Sequence, residues 1–317
     1  LARTLESRTP AFTLDSDWRV GSFSRLAHGA HAPYHAAPSP LVELGLDYDQ
    51  RTALPSPELE PKLPITLSTF PRGAQAGTFF HQILEDLDFQ NLSELESLVV
   101  KNLGDHGFEE HWAPLVCQAL QEILKTPFAP DLALQDIPRT ARLDELQFTI
   151  PVATQAGAGA HALESEALAK VIEDAQDEGL PPGYASQIRS LGFPRLRGFL
   201  TGFVDLIFLH EDRWYVVDYK SNHLGDGLEA YDHAKLPKAM AESHYVLQYL
   251  LYTVALHRFL QQRLPEYSYE THIGGVYYLY LKGMHPSRGH NHGCYSHRPS
   301  WVLVQGLDRL LREGVNP

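Results

Sequence analysis

The stretch LTGFVDLIFLHEDRWYVVDYKSN, residues 200–222, decides the fold. Two apolar runs, one ending at Leu209 and one starting at Trp214, flank the polar turn His210-Glu211-Asp212-Arg213. Runs rich in β-branched and aromatic residues around a short polar turn predict a β-hairpin. Each run nevertheless carries a carboxylate: Asp205 sits among Phe203, Val204, Leu206 and Ile207, and Asp218 follows Tyr215-Val216-Val217. Aspartate is depleted from strands and costly to bury without a partner or a cation. Strand alternation puts Asp218 and Lys220 on one face, roughly 7 Å apart along the chain, and pairing of the two runs would bring Asp205 to the same spot. Two carboxylates and an ammonium converging on one point are the parts needed for metal-assisted phosphodiester hydrolysis. The bland reading, a solvent-facing hairpin, conflicts with the apolar flanks of both aspartates.

Working outward, Arg195 and Arg197 share the odd parity of Asp205. An unbroken strand would set all three on one face, ready for phosphate, unless Gly198 or Gly202 introduces a bulge. The Tyr219 side chain points away from Asp218, which leaves its carbonyl as a further oxygen ligand. His81, with Glu85 one turn on, lies in FFHQILEDLDF, where Phe80, Ile83, Leu84 and Leu87 recur at helical spacing behind Thr78 as N-cap. A histidine there is either a satisfied structural residue or an imidazole ligand, of a kind better suited to Mn²⁺ than to Mg²⁺. Glu145 in LDELQF is either solvent-facing or a site residue. Gln248 and Tyr252 share a helix face at i,i+4, with Tyr245 a turn earlier; they contact phosphate, orient Lys220, or form polar edges of the core. His290-Asn291-His292-Gly293-Cys294 with His297 resembles a zinc cluster at first sight, but a histidine-bearing loop is the commoner meaning.

The rest of the chain supplies an α/β domain. Residues 93–124 hold two or three amphipathic helical segments, 143–152 a strand, 156–162 an Ala/Gly loop and 165–176 a helix. Residues 238–262 read as one long helix, 273–281 as a strand, 283–300 as a Gly/His/Pro-rich loop and 305–312 as a short C-terminal helix. That order predicts one central mixed β-sheet flanked by helices. Prolines at 33, 38, 40, 55, 57, 61, 64 and 71 forbid regular structure over 27–71. Residues 1–70 are therefore expected to be a tether from a preceding part of the protein, with DSDWRVGSFSRL (15–26) docking on a neighbouring domain, and 71–317 to be the catalytic domain.

Composition narrows the class. The chain has 317 residues, 44% of them hydrophobic, enough for one large or two modest cores. Its net charge of −13, from 26 basic and 39 acidic residues, argues against gripping DNA unaided, because phosphate contacts dominate non-specific affinity. Either a small local patch touches the nucleic acid, or another domain or subunit delivers it. Two cysteines, Cys117 and Cys294, are too few for a disulfide framework or a four-cysteine iron–sulfur cluster, and a reducing cytoplasm is expected. No apolar run approaches the roughly 20 residues of a membrane span, so a soluble protein without membrane contact is expected. The start at Leu1 without a signal pattern reads as a piece of a longer polypeptide.

Six ordered blocks then carry a family resemblance: DWRVGSFSRL (17–26), FPRGAQAGTFFHQILEDLDF (70–89), LRGFLTGFVDLIF (196–208), WYVVDYKSN (214–222), YVLQYLLYTVALHRFL (245–260) and GGVYYLYLKG (274–283). They resemble the C-terminal nuclease domains of RecB-type helicase–nuclease subunits, within the PD-(D/E)xK superfamily, and diverge mainly at 27–68 and 153–190. The resemblance implies a restriction-endonuclease-like core and a Mg²⁺-dependent deoxyribonuclease, with Mn²⁺ as the alternative ion. It implies metal ligation by His81, Asp205, Asp218 and the Tyr219 carbonyl, and makes Lys220 the catalytic lysine. Glu145 matches an active-site glutamate in a looser block, and Gln248 and Tyr252 match a QxxxY motif, which with Arg197 gives the expected DNA contacts. Some relatives carry a cysteine-ligated iron–sulfur cluster, which two cysteines exclude. The implied partners are single strands of unwound DNA, RecC-like and RecD-like subunits, and RecA, in double-strand-break repair. The rival readings are a non-catalytic or dual-role platform for RecA and the partner subunits, and a stand-alone repair nuclease.

Overall fold

The computed structural model describes residues 18–28, 66–153, 162–193 and 195–314. In chain order its elements are β1 (Trp18–Ser22), α1 (Phe23–His28), α2 (Ala74–Asp86), α3 (Leu95–Asp105), α4 (Ala113–Lys125), β2 (Pro127–Ala129), β3 (Leu132–Ala133), β4 (Arg142–Val152) and α5 (Ser165–Ala175). There follow α6 (Tyr184–Arg189), β5 (Arg197–His210), β6 (Arg213–Lys220), α7 (Leu236–Glu242), α8 (Tyr245–Arg263), α9 (Tyr269–His272), β7 (Ile273–Tyr280), β8 (Cys294–His297) and α10 (Trp301–Glu313). Six of the strands make one mixed sheet flanked by helices, as expected; β2 and β3 form a small separate ribbon.

The 14-residue β5 organises the sheet. β4 runs antiparallel along one edge of it, from Arg142↔Phe208 to Val152↔Gly198. The other edge is shared end to end: β1 pairs in parallel with residues 197–201, and β6 antiparallel with residues 206–210. Residues 202–205 fall between these two described ladders. β6 parts from β5 after Leu206↔Val217 and continues in parallel beside β7 as far as Lys220↔Tyr280. A cleft therefore opens in the sheet at Asp205 and Asp218. Backbone groups along it must find other partners.

The helices close the remaining faces. α2 buries Phe79, Phe80, Ile83 and Leu84 at helical spacing, with Phe70 stacked 5.4 Å from Phe79. α8 is buried almost all round, from Tyr245 to Arg258, because it lies between the sheet and other helices.

The structure departs from the sequence reading in four places. The single helix expected over 238–262 is two, α7 and α8, broken at Ser243-His244, where His244 takes a left-handed φ of 56°. Thr78 is no cap: α2 starts at Ala74, and the Thr78 hydroxyl donates back to the Ala74 carbonyl at 3.2 Å. The 283–300 loop contains β8, recruited as an edge strand by β7. Within the span expected as a tether, residues 18–28 add β1 and α1 to the sheet, and Leu67 and Phe70 enter the core. The proline run begins only at Pro33, so nothing prevents residues 18–22 from pairing. Most of the tether span, residues 1–17 and 29–65, lies outside the described residues, as does most of the 156–162 loop.

Candidate active site

Asp205 stands at the cleft, where the β4–β5 ladder skips one pair. Asp144↔Leu206 and Leu146↔Val204 are bonded in one continuous register, and between them Glu145 lies opposite Asp205. Glu145 has a left-handed φ of 47°, which costs a non-glycine residue about 1–2 kcal/mol. The kink also exchanges faces. Arg142, above it, lies 3.5 Å over the Phe89 ring beyond α2, whereas Phe148, of the same parity below it, meets Tyr252 of α8 at 5.6 Å. Backbone strain held at such a point belongs to sites rather than to scaffolds. The break falls here and not at Gly202, since the register with β4 runs unchanged through Gly202 to its last pair at Gly198.

The cleft groups meet as follows. Asp205 Oδ1 lies 3.2 Å from His81 Nδ1, and Oδ2 accepts the Tyr219 backbone N–H at 2.8 Å, just past the last β5–β6 pair. Burial pushes the Asp205 carboxyl up, but His81, Lys220 and the Tyr219 amide outweigh it and hold it below the usual carboxylate range. Asp218 and Lys220 form an ion pair of 2.6 Å with both side chains 3% exposed. The Lys220 ammonium also lies 4.0 Å over the Tyr245 ring and 5.4 Å from the Tyr278 ring. Gln248 accepts from the Tyr278 hydroxyl and donates to the Tyr252 hydroxyl, each at 3.0 Å. Burial, with the charges of Asp218 and Asp205, holds both phenols neutral. Gln248 and Tyr252 are thus buried and bonded to the site's own residues.

Glu145 reaches a residue that the sequence reading names only as a neighbour of His81. Burial and a hydrogen bond with Glu145 raise the Glu85 carboxyl to about 7, so Glu85 is partly protonated near neutrality. The signal was its i,i+4 spacing from His81, which puts both on the helix face turned to the cleft. Tyr278 was missed as well, for it reads as one more aromatic in IGGVYYLYL. Arg197 is not brought in: it lies eight residues along β5, roughly 26 Å away, with its guanidinium 5.9 Å from the Trp18 ring. Arg195 is occupied by Glu164.

The profile of the PD-(D/E)XK nuclease superfamily matches residues 59–290. The chain belongs to the PD-(D/E)XK nuclease superfamily. It is 35% identical over 98% of its length to "RecBCD enzyme subunit RecB" of Escherichia coli (strain K12), of which it covers 24%. It is 34% identical to the RecB subunit of Mycobacterium tuberculosis (strain H37Rv) over 95% of its length, covering 29% of that protein, and 31% identical to that of Haemophilus influenzae over 94%, covering 24%. The chain therefore spans about a quarter of these relatives and corresponds to their C-terminal part.

A PD-(D/E)XK nuclease domain is a divalent-metal-dependent hydrolase, and the donor set fits such an ion: two carboxylates and an imidazole beside an open ladder. As they stand, no three His, Cys, Asp or Glu side chains among the described residues are placed to hold a metal. At the cleft Asp218 is instead engaged by Lys220 at 2.6 Å. The same holds for the 290–297 segment. Cys294 is buried in β8, and His297 is bonded to Asp177 and to Tyr249. No helix among the described residues is long and apolar enough to cross a membrane.

Proposed function

We propose that this domain is the Mg²⁺-dependent deoxyribonuclease of a RecBCD-type helicase–nuclease, cutting single strands of unwound DNA during cytoplasmic double-strand-break repair. The observation that carries the reading is the meeting of His81, Asp205 and the Tyr219 amide beside the buried Asp218–Lys220 pair. In this reading His81, Asp205, Asp218 and the Tyr219 carbonyl hold the cation. When bound, the ion neutralises charge on the scissile phosphate and acidifies water. Lys220 donates to the attacking oxygen or to the phosphoryl oxygens as negative charge builds. Asp205, kept ionised by its neighbours, offers a charged ligand at any physiological pH. Glu85, partly protonated near neutrality and bonded to Glu145, can accept or return a proton at the cleft mouth. Gln248 and Tyr252 act by fixing the aromatic wall of the site. Arg197, with Trp18, offers a cation and a stacking face farther along β5 for the bound strand.

The acidic chain needs other parts of the assembly, RecC-like and RecD-like subunits, to deliver the strand. Trp18, Val20 and Phe199, 49%, 56% and 37% exposed on neighbouring strands, favour a second role as a contact surface for such a partner or for RecA. The test is cleavage of single-stranded DNA with Mg²⁺ by the protein and its Asp218→Ala and Lys220→Ala variants. Both should lose at least a hundredfold in rate while keeping their folded spectra. Unchanged cleavage in Asp218→Ala would sink the assignment.

A further inference from the structure

Resting on the reading that Lys220 acts in catalysis, we infer that Tyr245 and Tyr278 position its ammonium through their ring faces, forming a seat that does not depend on Asp218. An ammonium held only by Asp218 would share its anchor with the cation that the same carboxylate holds. The ring faces escape that competition, because they attract a cation without a formal charge. Both rings lie within the roughly 6 Å over which such attraction acts, at 4.0 Å and 5.4 Å from the ammonium. Tyr245 is 7% exposed and Tyr278 0%, so water screens neither contact.

The rings are themselves fixed. The Tyr245 hydroxyl donates to Asn222 Oδ1 at 3.0 Å, the Tyr278 hydroxyl to Gln248 Oε1 at 3.0 Å, and the two ring centroids are 5.9 Å apart. Tyr278 is paired in register with Asp218, so the strand that carries the carboxylate's neighbour also carries one wall of the seat. Tyr245 is the first residue of α8, directly after the left-handed His244. The break between α7 and α8 thus falls directly before the ring that lies over Lys220. Asn222 and Gln248 thereby act on the lysine at one remove.

The test separates ring from hydroxyl and from bulk. In single-turnover cleavage of single-stranded DNA, Tyr245→Phe should stay within about threefold of the parent. Tyr245→Leu should fall about tenfold or more in rate at saturating DNA, with little change in KM, consistent with the strength of a desolvated cation–π contact. Phenylalanines of increasing fluorination at position 245 should lower the rate stepwise while Tm stays level, which a packing role would not do. A second readout needs neither metal nor turnover: acylation of Lys220 by an amine reagent in EDTA, mapped by mass spectrometry, should be faster in Tyr245→Leu than in Tyr245→Phe. Equal behaviour of the Leu and Phe variants, or a flat fluorination series, would overturn the inference. Should Tyr245→Leu not fold, the fluorinated series decides. Full activity in Lys220→Ala would instead refute the catalytic reading beneath it.

Discussion

Replacing Lys220 with methionine removes the ammonium while keeping most of the stem, and the structure sets the size of the effect. The Asp218–Lys220 pair is 2.6 Å long with both side chains 3% exposed, so the variant takes the ammonium from a buried carboxylate. Removing one partner of a buried pair costs about 3–5 kcal/mol. At roughly 2–4 °C per kcal/mol for a domain of this order of size, thermal unfolding in EDTA should drop by about 6–20 °C. Mg²⁺ or Mn²⁺ should then raise the variant's Tm more than the parent's, since a cation beside Asp218 replaces the lost charge; a hundredfold excess over Kd is worth about 2.7 kcal/mol. Asp218→Leu combined with Lys220→Met should recover most of the loss, because removing both charges leaves nothing stranded. All three proteins differ in stability, yet both variants should be inactive. If Lys220→Met melts with the parent in EDTA, or the double variant melts lower than the single one, the ion pair is not what holds Asp218 and the argument fails.

Two further outcomes are expected at the mouth of the cleft. The Glu85 carboxyl, raised from its ordinary 4.5 to about 7 in the fold, keeps its proton folded and releases it unfolded. Its contribution is full below about pH 4.5 and is lost as pH rises through 7, so Glu85→Gln should match the parent near pH 4.5 and exceed it in Tm at pH 8, in EDTA; equal Tm differences at both pH values would refute the raised Glu85 carboxyl. Glu145→Gly relieves a φ of 47° that glycine adopts without steric cost. Unfolding in urea should show it up to about 1 kcal/mol more stable after glycine's own entropy is counted, while cleavage falls; a less stable glycine variant would mean that the kink is not strained.

The sequence made the hairpin legible because alternation and apolar flanking report strands wherever the ladder is continuous. Asp205, Asp218 and Lys220 came from that rule alone, and the β5–β6 pairing bears it out up to Leu206↔Val217. Beyond that pair the rule stops reporting, and the site begins there. The left-handed residues at the break are Glu145 and at the helix junction His244, neither of them glycine, so nothing in composition marks either turn. The parity that would align Arg197 with Asp205 names a shared face and says nothing of the roughly 26 Å of strand between them. Glu85 and Tyr278 were hidden for the opposite reason: one sits on an ordinary amphipathic helix and the other in an aromatic-rich strand, and only tertiary packing brings them to the carboxylates. A ladder that stayed bonded through 205 and 218 would have been easier to read, but it would also have been useless. Its amides and carbonyls would be spent on each other, and Tyr219 N–H could not hold Asp205 at 2.8 Å. The place where the sheet fails to pair is the place where its carboxylates become available, so pattern and chemistry part at the same residue for one physical reason.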